Sequence, residues 1–321
     1  MKINVNKKSG KLLGLAAVLM LAAMMIVGCN QAQGNSSSGK STDTPSAPAD
    51  KIYTVGGISF TMKGIAAVTD GTVGHSSEYD NGVHTVSLTA YRIGETEITQ
   101  ELWEKVMSNN PSGFSSSPES AEMQEKRPVE SVNWYECIAF CNELTKKVAG
   151  LGESECLYYS DAGYTNVYTK EDADARKEVY LYTAMNKKGF RLPTEAEWEW
   201  AAKGGTTDKW AGTNKKSELK DYAWYDANSG DKTHEVKKKT ANRYGLYDMS
   251  GNVWEWCWGW YKDSTPAGGQ DPTGSADSGF LRVGRGGSWK DVANFAARAY
   301  RGNFDPDDSY YFVGLRVVCR P

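Results

Sequence analysis

The chain has 321 residues, 40% apolar and 24% charged, with 37 Lys+Arg against 40 Asp+Glu for a formal charge of −3. That balance is globular, which excludes wholesale disorder and fibrous classes, and the missing basic excess argues against nucleic acid as a partner. The three histidines (His75, His84 and His234) stand far apart and in no ligand spacing, which argues against a histidine-built zinc or iron centre.

Lys2, Lys7, Lys8 and Lys11 make a positive start, and Leu12 to Val27 is a 16-residue apolar run. The run is short for a membrane span and right for the hydrophobic region of a signal peptide. It ends at Ile26-Val27-Gly28-Cys29, which resembles a bacterial lipoprotein cleavage site. The resemblance implies a signal peptide over 1–28, lipidation at Cys29 and contact with a membrane through that lipid. Residues 30–50 hold no Val, Ile, Leu, Met or aromatic residue. They cannot bury enough apolar surface to offset their ordering entropy, so 29–51 is expected to be a disordered tether.

The rest, 52–321, reads as one α+β domain, since no second such linker interrupts it. Ile52 to Lys63 is strand-like with a bend at Gly56-Gly57, and Thr85 to Ile93 alternates as a strand. Thr99 caps a short helix running to Met107. Asn133 to Val148 carries Trp134, Cys137, Ile138, Cys141, Leu144 and Val148 at helical spacing, one buried stripe. Thr194 with Glu197 makes a capping box for a helix to Lys203. Beyond it periodicity fades. The 33 glycines, 11 tryptophans and 18 tyrosines point to loops pinned by buried aromatics. Trp254, Trp256, Trp258 and Trp260 alternate with Glu255, Cys257 and Gly259, so one face should pack and the other differ. Arg191, Arg298 and Arg316 are expected ion-pair anchors, with Glu195, Glu197 and Glu255 as partners. Without Cys29, five cysteines remain, an odd number that leaves at least one thiol unpaired in a monomer; Cys137 and Cys141, four apart on the second helix, are expected to be buried and unbridged.

Three stretches carry a family signature: Arg191 to Gly205 (RLPTEAEWEWAAKGG), Asn242 to Trp256 (NRYGLYDMSGNVWEW), and Arg285-Gly-Gly-Ser-Trp289 followed by Arg298, Arg301 and Gly314-Leu-Arg316. With Gly94 to Thr99 and Pro128 to Asn142, they resemble the formylglycine-generating (sulfatase-modifying factor) family over 52–321. The resemblance implies a C-type-lectin-like fold, poor in regular secondary structure. It also implies a place for a calcium ion at Asn252, the Val253 carbonyl and Glu255, all oxygen donors; no other cofactor is required. In the enzymes of this family two cysteines bind copper and oxidise a substrate cysteine. Those two places hold Asp291 and Ala296 here, and neither can ligate copper(I). The domain is therefore expected to be non-enzymatic.

From Trp289 to Val313, aromatics alternate with Asp, Gly, Ser and Asn in no helical or strand period, the mixture recognition loops use. Six of them, Phe295, Tyr300, Phe304, Tyr310, Tyr311 and Phe312, are expected to form an exposed surface. The frame Arg285 to Trp289, Ala297 to Ala299, Arg301, Pro306-Asp307 and Gly314 to Arg316 resembles the variable region of proteins diversified by a retroelement, placing one at 285–321. In such regions asparagine codons change only at adenines, which implies variable ligand-binding positions at Asp291, Val292, Phe295, Tyr300, Gly302, Phe304, Asp305, Asp308, Tyr310, Tyr311 and Phe312. Lys290 is left out, because a lysine codon ends in a purine. The expectation is a lipoprotein displayed on a bacterial outer membrane or cell surface, binding a protein or glycan. The rival expectations are a formylglycine-generating oxidoreductase acting on exported protein and an envelope lectin of unchanging specificity.

Overall fold

The computed structural model describes residues 46–184, 186–275 and 279–321. Residues 1–28, Cys29 and the tether up to 45 lie outside them. No helix among the described residues is long and apolar enough to cross a membrane.

Strands β1 (Lys51–Val55) and β2 (Ile58–Ile65) form a hairpin turned by Gly56 and Gly57, both at positive φ, where glycine alone carries no Cβ penalty. The last six described tether residues depart from the sequence expectation. Lys51 opens β1, and Asp50 accepts from the Gly64 amide at 2.9 Å and pairs with Lys63. The Ala49 carbonyl accepts from Arg92 at 2.9 Å. A carboxylate placed beside free donors fastens this end, so the ordered domain begins before residue 52.

β3 (Val68–Val73) pairs with β4 (His84–Leu88), and β5 (Tyr91–Gly94) follows. The single strand expected over 85–93 is thus broken at Thr89 and Ala90, and its halves join different sheets. α1 (Gln100–Met107) starts at Thr99, whose side chain accepts from the Leu102 amide. α2 (Trp134–Lys147) is opened by a capping box of Asn133 and Glu136. β6 (Tyr158–Tyr159), α3 (Lys170–Asp174) and β7 (Tyr180–Leu181) form a small excursion before α4 (Glu195–Lys203), which carries the expected Thr194–Glu197 box. The remainder is mostly loops around β8 (Trp254–Trp260), β9 (Gly269–Gln270), β10 (Arg282–Arg285), β11 (Gly302–Phe304), β12 (Val313–Gly314) and β13 (Val318–Cys319).

Two four-stranded sheets organise the domain, in the orders β1-β2-β5-β13 and β11-β10-β8-β12. β13 closes the first sheet by pairing Val318 with Ile93, so the carboxy-terminal segment is tied to both ends of the fold. β8 packs on both faces, and the two differ in kind. Trp254 and Trp256 sit in the core, while Glu255 and Cys257 are equally buried on the opposite face. The reason is electrostatic: Glu255 is neutralised there by Arg316 at 2.7 Å.

Around that pair lies an excess of acid. Burial, then the nearby negative charges of Asp248 and Glu255, push the Glu97 carboxyl well above its ordinary range. Burial also pushes Asp248 up to about 6, and its Oδ1 has no hydrogen-bond partner. A carboxyl raised on folding binds more protons in the folded chain than in the unfolded one. Its stabilising contribution is therefore full below the unfolded value near 4 and is lost as pH rises to about 6. Asp248→Asn should remove that dependence. Its stability relative to wild type should climb between pH 4 and 6.5 by up to about 3 kcal/mol, at roughly 1.4 kcal/mol per unit. Urea melts across that range check this, and parallel curves would refute it.

The five cysteines in the described domain are all free and buried.

Candidate functional site

The carboxy-terminal segment is held from beneath by α4. Glu195 and Glu199 stand one helical turn apart and so share a face. Glu195 Oε1 meets Arg285 at 2.9 Å and Arg301 at 2.5 Å. Glu199 meets Arg285 at 2.7 Å and Arg298 at 2.8 Å. Glu197, on the other side, holds Arg191 through two bonds of 2.6 Å. Burial alone would push Glu199 up, but the Arg285 and Arg298 guanidiniums together outweigh it and its carboxyl lies below the usual range. Of the expected anchors, Arg191 and Arg316 have expected partners, but Arg298 takes Glu199. Glu199 was legible only as the i+4 neighbour of Glu195.

The loops between these arginines are shaped by their backbone. The amides of Ser131, Trp134 and Trp254 donate to the carbonyls of Tyr310 (3.0 Å), Pro306 (3.2 Å) and Phe312 (2.9 Å). The Trp210 indole donates to the Ala293 carbonyl at 2.6 Å, and the Asp226 amide to the Asp291 carbonyl at 3.1 Å. Such bonds fix the path of a loop whatever side chain it carries.

The side chains of this segment form one connected layer. Phe295 meets Tyr300 at 4.7 Å between ring centroids, and Tyr300 meets Trp254 at 6.1 Å. Phe304 packs edge-on against Trp254 and Trp256, and also meets Tyr310 and Phe312. Tyr311 lies against Phe312 and Trp289. Of the eleven expected positions, Val292 (50%) and Tyr311 (47%) are the exposed large apolar side chains, and Asp308 is exposed too. Asp305 and the other five rings are half-buried, so the aromatic group is a packed layer with an exposed rim and not a wholly exposed surface. Rings of this size reduce their exposed area by covering one another.

Two of the eleven positions serve the frame. Gly302 is buried; a Cβ there would come within 2.8 Å of Trp254 and 3.0 Å of Phe304. The Asp291 carboxylate accepts from the Ser288 amide (3.0 Å), the Ser288 hydroxyl and the Trp254 indole (2.8 Å). Lys290, omitted on codon grounds, belongs to the surface: its ammonium lies 4.3 Å from the Phe312 centroid and 5.1 Å from that of Tyr311. Codon arithmetic bears only on which positions could change, and says nothing of a side chain that packs beside them.

Neither metal implied by the family resemblance fits the residues present. Asn252 Oδ1 accepts from the His234 amide at 3.0 Å, and its Nδ2 donates to Glu97 at 2.7 Å. Both Glu255 oxygens are taken by the Arg316 guanidinium, and Oε2 also accepts from the Trp198 indole. A cation at Asn252, Val253 and Glu255 would face the fixed positive charge of Arg316, with the Asn252 and Glu255 oxygens already engaged, so these residues do not fit the expected calcium ion. At the two copper positions stand Asp291, committed as above, and Ala296, fully buried. Burial pushes the thiols of Cys319 up to about 11 and of Cys156 up to about 12, leaving them protonated and poor as copper(I) ligands.

A model of the sulfatase-modifying factor enzyme 1-like domain matches residues 39–321. The solved structure of Treponema denticola variable protein 1 is 53% identical, with a TM-score of 0.77, covering 85% of this chain and all of that one. The chaperone protein LppX of Paenibacillus barcinonensis is 36% identical over 256 residues, 73% of this chain and 81% of its own length. The formylglycine-generating enzyme of Thermomonospora curvata is 35% identical over 159 residues, 41% of this chain and half of the enzyme. The α+β fold is thus the C-type-lectin-like type of the formylglycine-generating proteins.

Proposed function

The chain belongs to the sulfatase-modifying factor enzyme 1-like family, and from that premise we propose that it is a lipid-anchored surface protein whose region 285–321 is diversified by a retroelement and binds a protein or glycan ligand. One observation carries the reading. The loops from 290 to 312 are fixed by buried arginines and by backbone bonds, while most of their side chains lean on one another at the surface. Diversity is tolerable only where the backbone is over-determined by other residues. The likeness to Treponema denticola variable protein 1 over that protein's whole length supports it. Cysteine oxidation is not proposed, because Asp291 and Ala296 supply no thiolate pair.

Sequencing the gene's 3′ end and its genomic neighbourhood in many clones tests this. The expected result is a nearby near-copy differing at adenines, with clones varying at codons 311, 312 and 292 but not at 285, 298 or 316. An identical tail in every clone and no near-copy would overturn it in favour of a binding protein of unchanging specificity.

A further inference from the structure

A second site lies at the far end of the β8 tryptophan row. Arg282 is 6% exposed, and no carboxylate among the described residues forms an ion pair with it. Five other buried arginines (191, 285, 298, 301 and 316) each hold a carboxylate. Arg127, also buried, donates to oxygens of Thr233, Ser116 and Gln124. Arg282 has one such bond, from Nη1 to the Trp258 carbonyl at 2.7 Å, and its buried Nε has no partner. Its guanidinium is clamped between Trp134 and Trp260, 3.7 and 3.4 Å from their ring centroids. Burial without a neutralising acid disfavours its charge. A guanidinium keeps its proton at neutral pH, so the penalty stays with the folded state until an anion offsets it.

Arg282 lines a cleft of about 500 Å³ whose walls include Trp258, Trp260, Tyr164, Tyr180 and Thr183. Among the described residues, the walls contain no acidic residue and offer flat rings beside a single cation. We propose that this cleft binds a small ring-bearing acid, its carboxylate on Arg282 and its ring against Tyr180, Trp258 and Trp260. Planar, paired N–H donors match a carboxylate, and aromatic walls match the ring that carries it. Arg282 pairs across β10 and β11 with Phe304, but no described residue of 290–312 lines the cleft, and the proposal does not rest on the function of that surface.

The test titrates the full chain in detergent with benzoate and with glucuronate, each beside its neutral counterpart, benzyl alcohol or glucose, by calorimetry. The expected result is saturable binding of at least one acid, with its neutral counterpart weaker by about tenfold or more, the scale of a lost charge-assisted hydrogen bond. Benzoate alone binding would identify an aryl acid, and glucuronate alone an acidic sugar; each supports the site. Arg282→Gln should abolish the preference for acid over neutral ligand. Because that variant also disturbs the tryptophan clamp, Tyr180→Ala, on the cleft wall, serves as the second: it should fold and bind the acid several-fold more weakly. The proposal is overturned if neither acid binds, if the neutral compounds bind equally well, or if Tyr180→Ala leaves the affinity unchanged.

Discussion

Arg316→Met should destabilise the domain by about 3–5 kcal/mol, the scale of a broken buried ion pair, and should leave it partly unfolded near room temperature. Arg316 is completely buried. Its Nε bonds both Glu255 oxygens at 2.9–3.0 Å, Nη1 donates to the Gly94 carbonyl at 2.8 Å, and Nη2 to the Tyr247 carbonyl at 2.8 Å. It is also the cation offsetting Glu97 and Asp248, whose carboxyls burial already pushes up. Methionine fills similar space but strands the acids without a counter-charge. Their folded-state values then rise further, so the variant should regain stability as pH falls from 7 towards 5. Adding Glu255→Gln should recover part of the loss, because the uncompensated charge is what hurts. Guanidinium melts of the three proteins decide this. A loss under about 1 kcal/mol for Arg316→Met, the range of an exposed pair, would falsify the assignment.

Phe304→Ala should cost about 2–3 kcal/mol, just below the range of about 3–5 kcal/mol for truncating a fully buried aromatic, because the ring is half-buried. Tyr311→Ala should cost under about 0.5 kcal/mol, as surface substitutions do. Both positions are expected to vary, yet they differ in support. Phe304 touches Trp254, Trp256, Tyr310 and Phe312, with centroids 5.4–6.0 Å away. It sits over Gly284 and Gly302; a Cβ at Gly284 would come within 2.5 Å of its ring. Tyr311 meets neighbours on one side only. A Cβ at 302 would meet Trp254 at 2.8 Å as well as Phe304 at 3.0 Å, so Phe304→Ala should lessen the cost of Gly302→Val without removing it. A double-mutant cycle measures that coupling, and strict additivity would remove the packing argument.

Helices α1, α2 and α4 were legible because their information is local. A cap, a capping box and a stripe at i, i+3 and i+4 all lie within one or two turns. The broken strand at 85–93 was not, because alternation reports burial along a strand and says nothing about which neighbour each half joins. The two-residue strands β6, β7, β9, β12 and β13 are too short to carry any period. Of the residues that the family motifs singled out, several act as frame: Asp291 ties Ser288 to Trp254, and Glu255 neutralises Arg316.

What was settled in the residues alone is the class of protein: an α+β domain, aromatic-rich, without thiolates at the two copper positions, with an arginine and glycine frame around a polar-aromatic tail. Tertiary structure decided which arginine meets which glutamate, that both faces of β8 are buried, that five of the tail's rings are half-buried, and that Arg282 has no acid among the described residues. The reason is sequence separation. Many of the bonds that matter join residues far apart in the chain: 57 positions separate Trp198 from Glu255, 106 separate Glu195 from Arg301, and 222 separate Gly94 from Arg316. Only closure of the sheets brings such partners within 3 Å, and no local pattern records which of several equivalent charges will arrive.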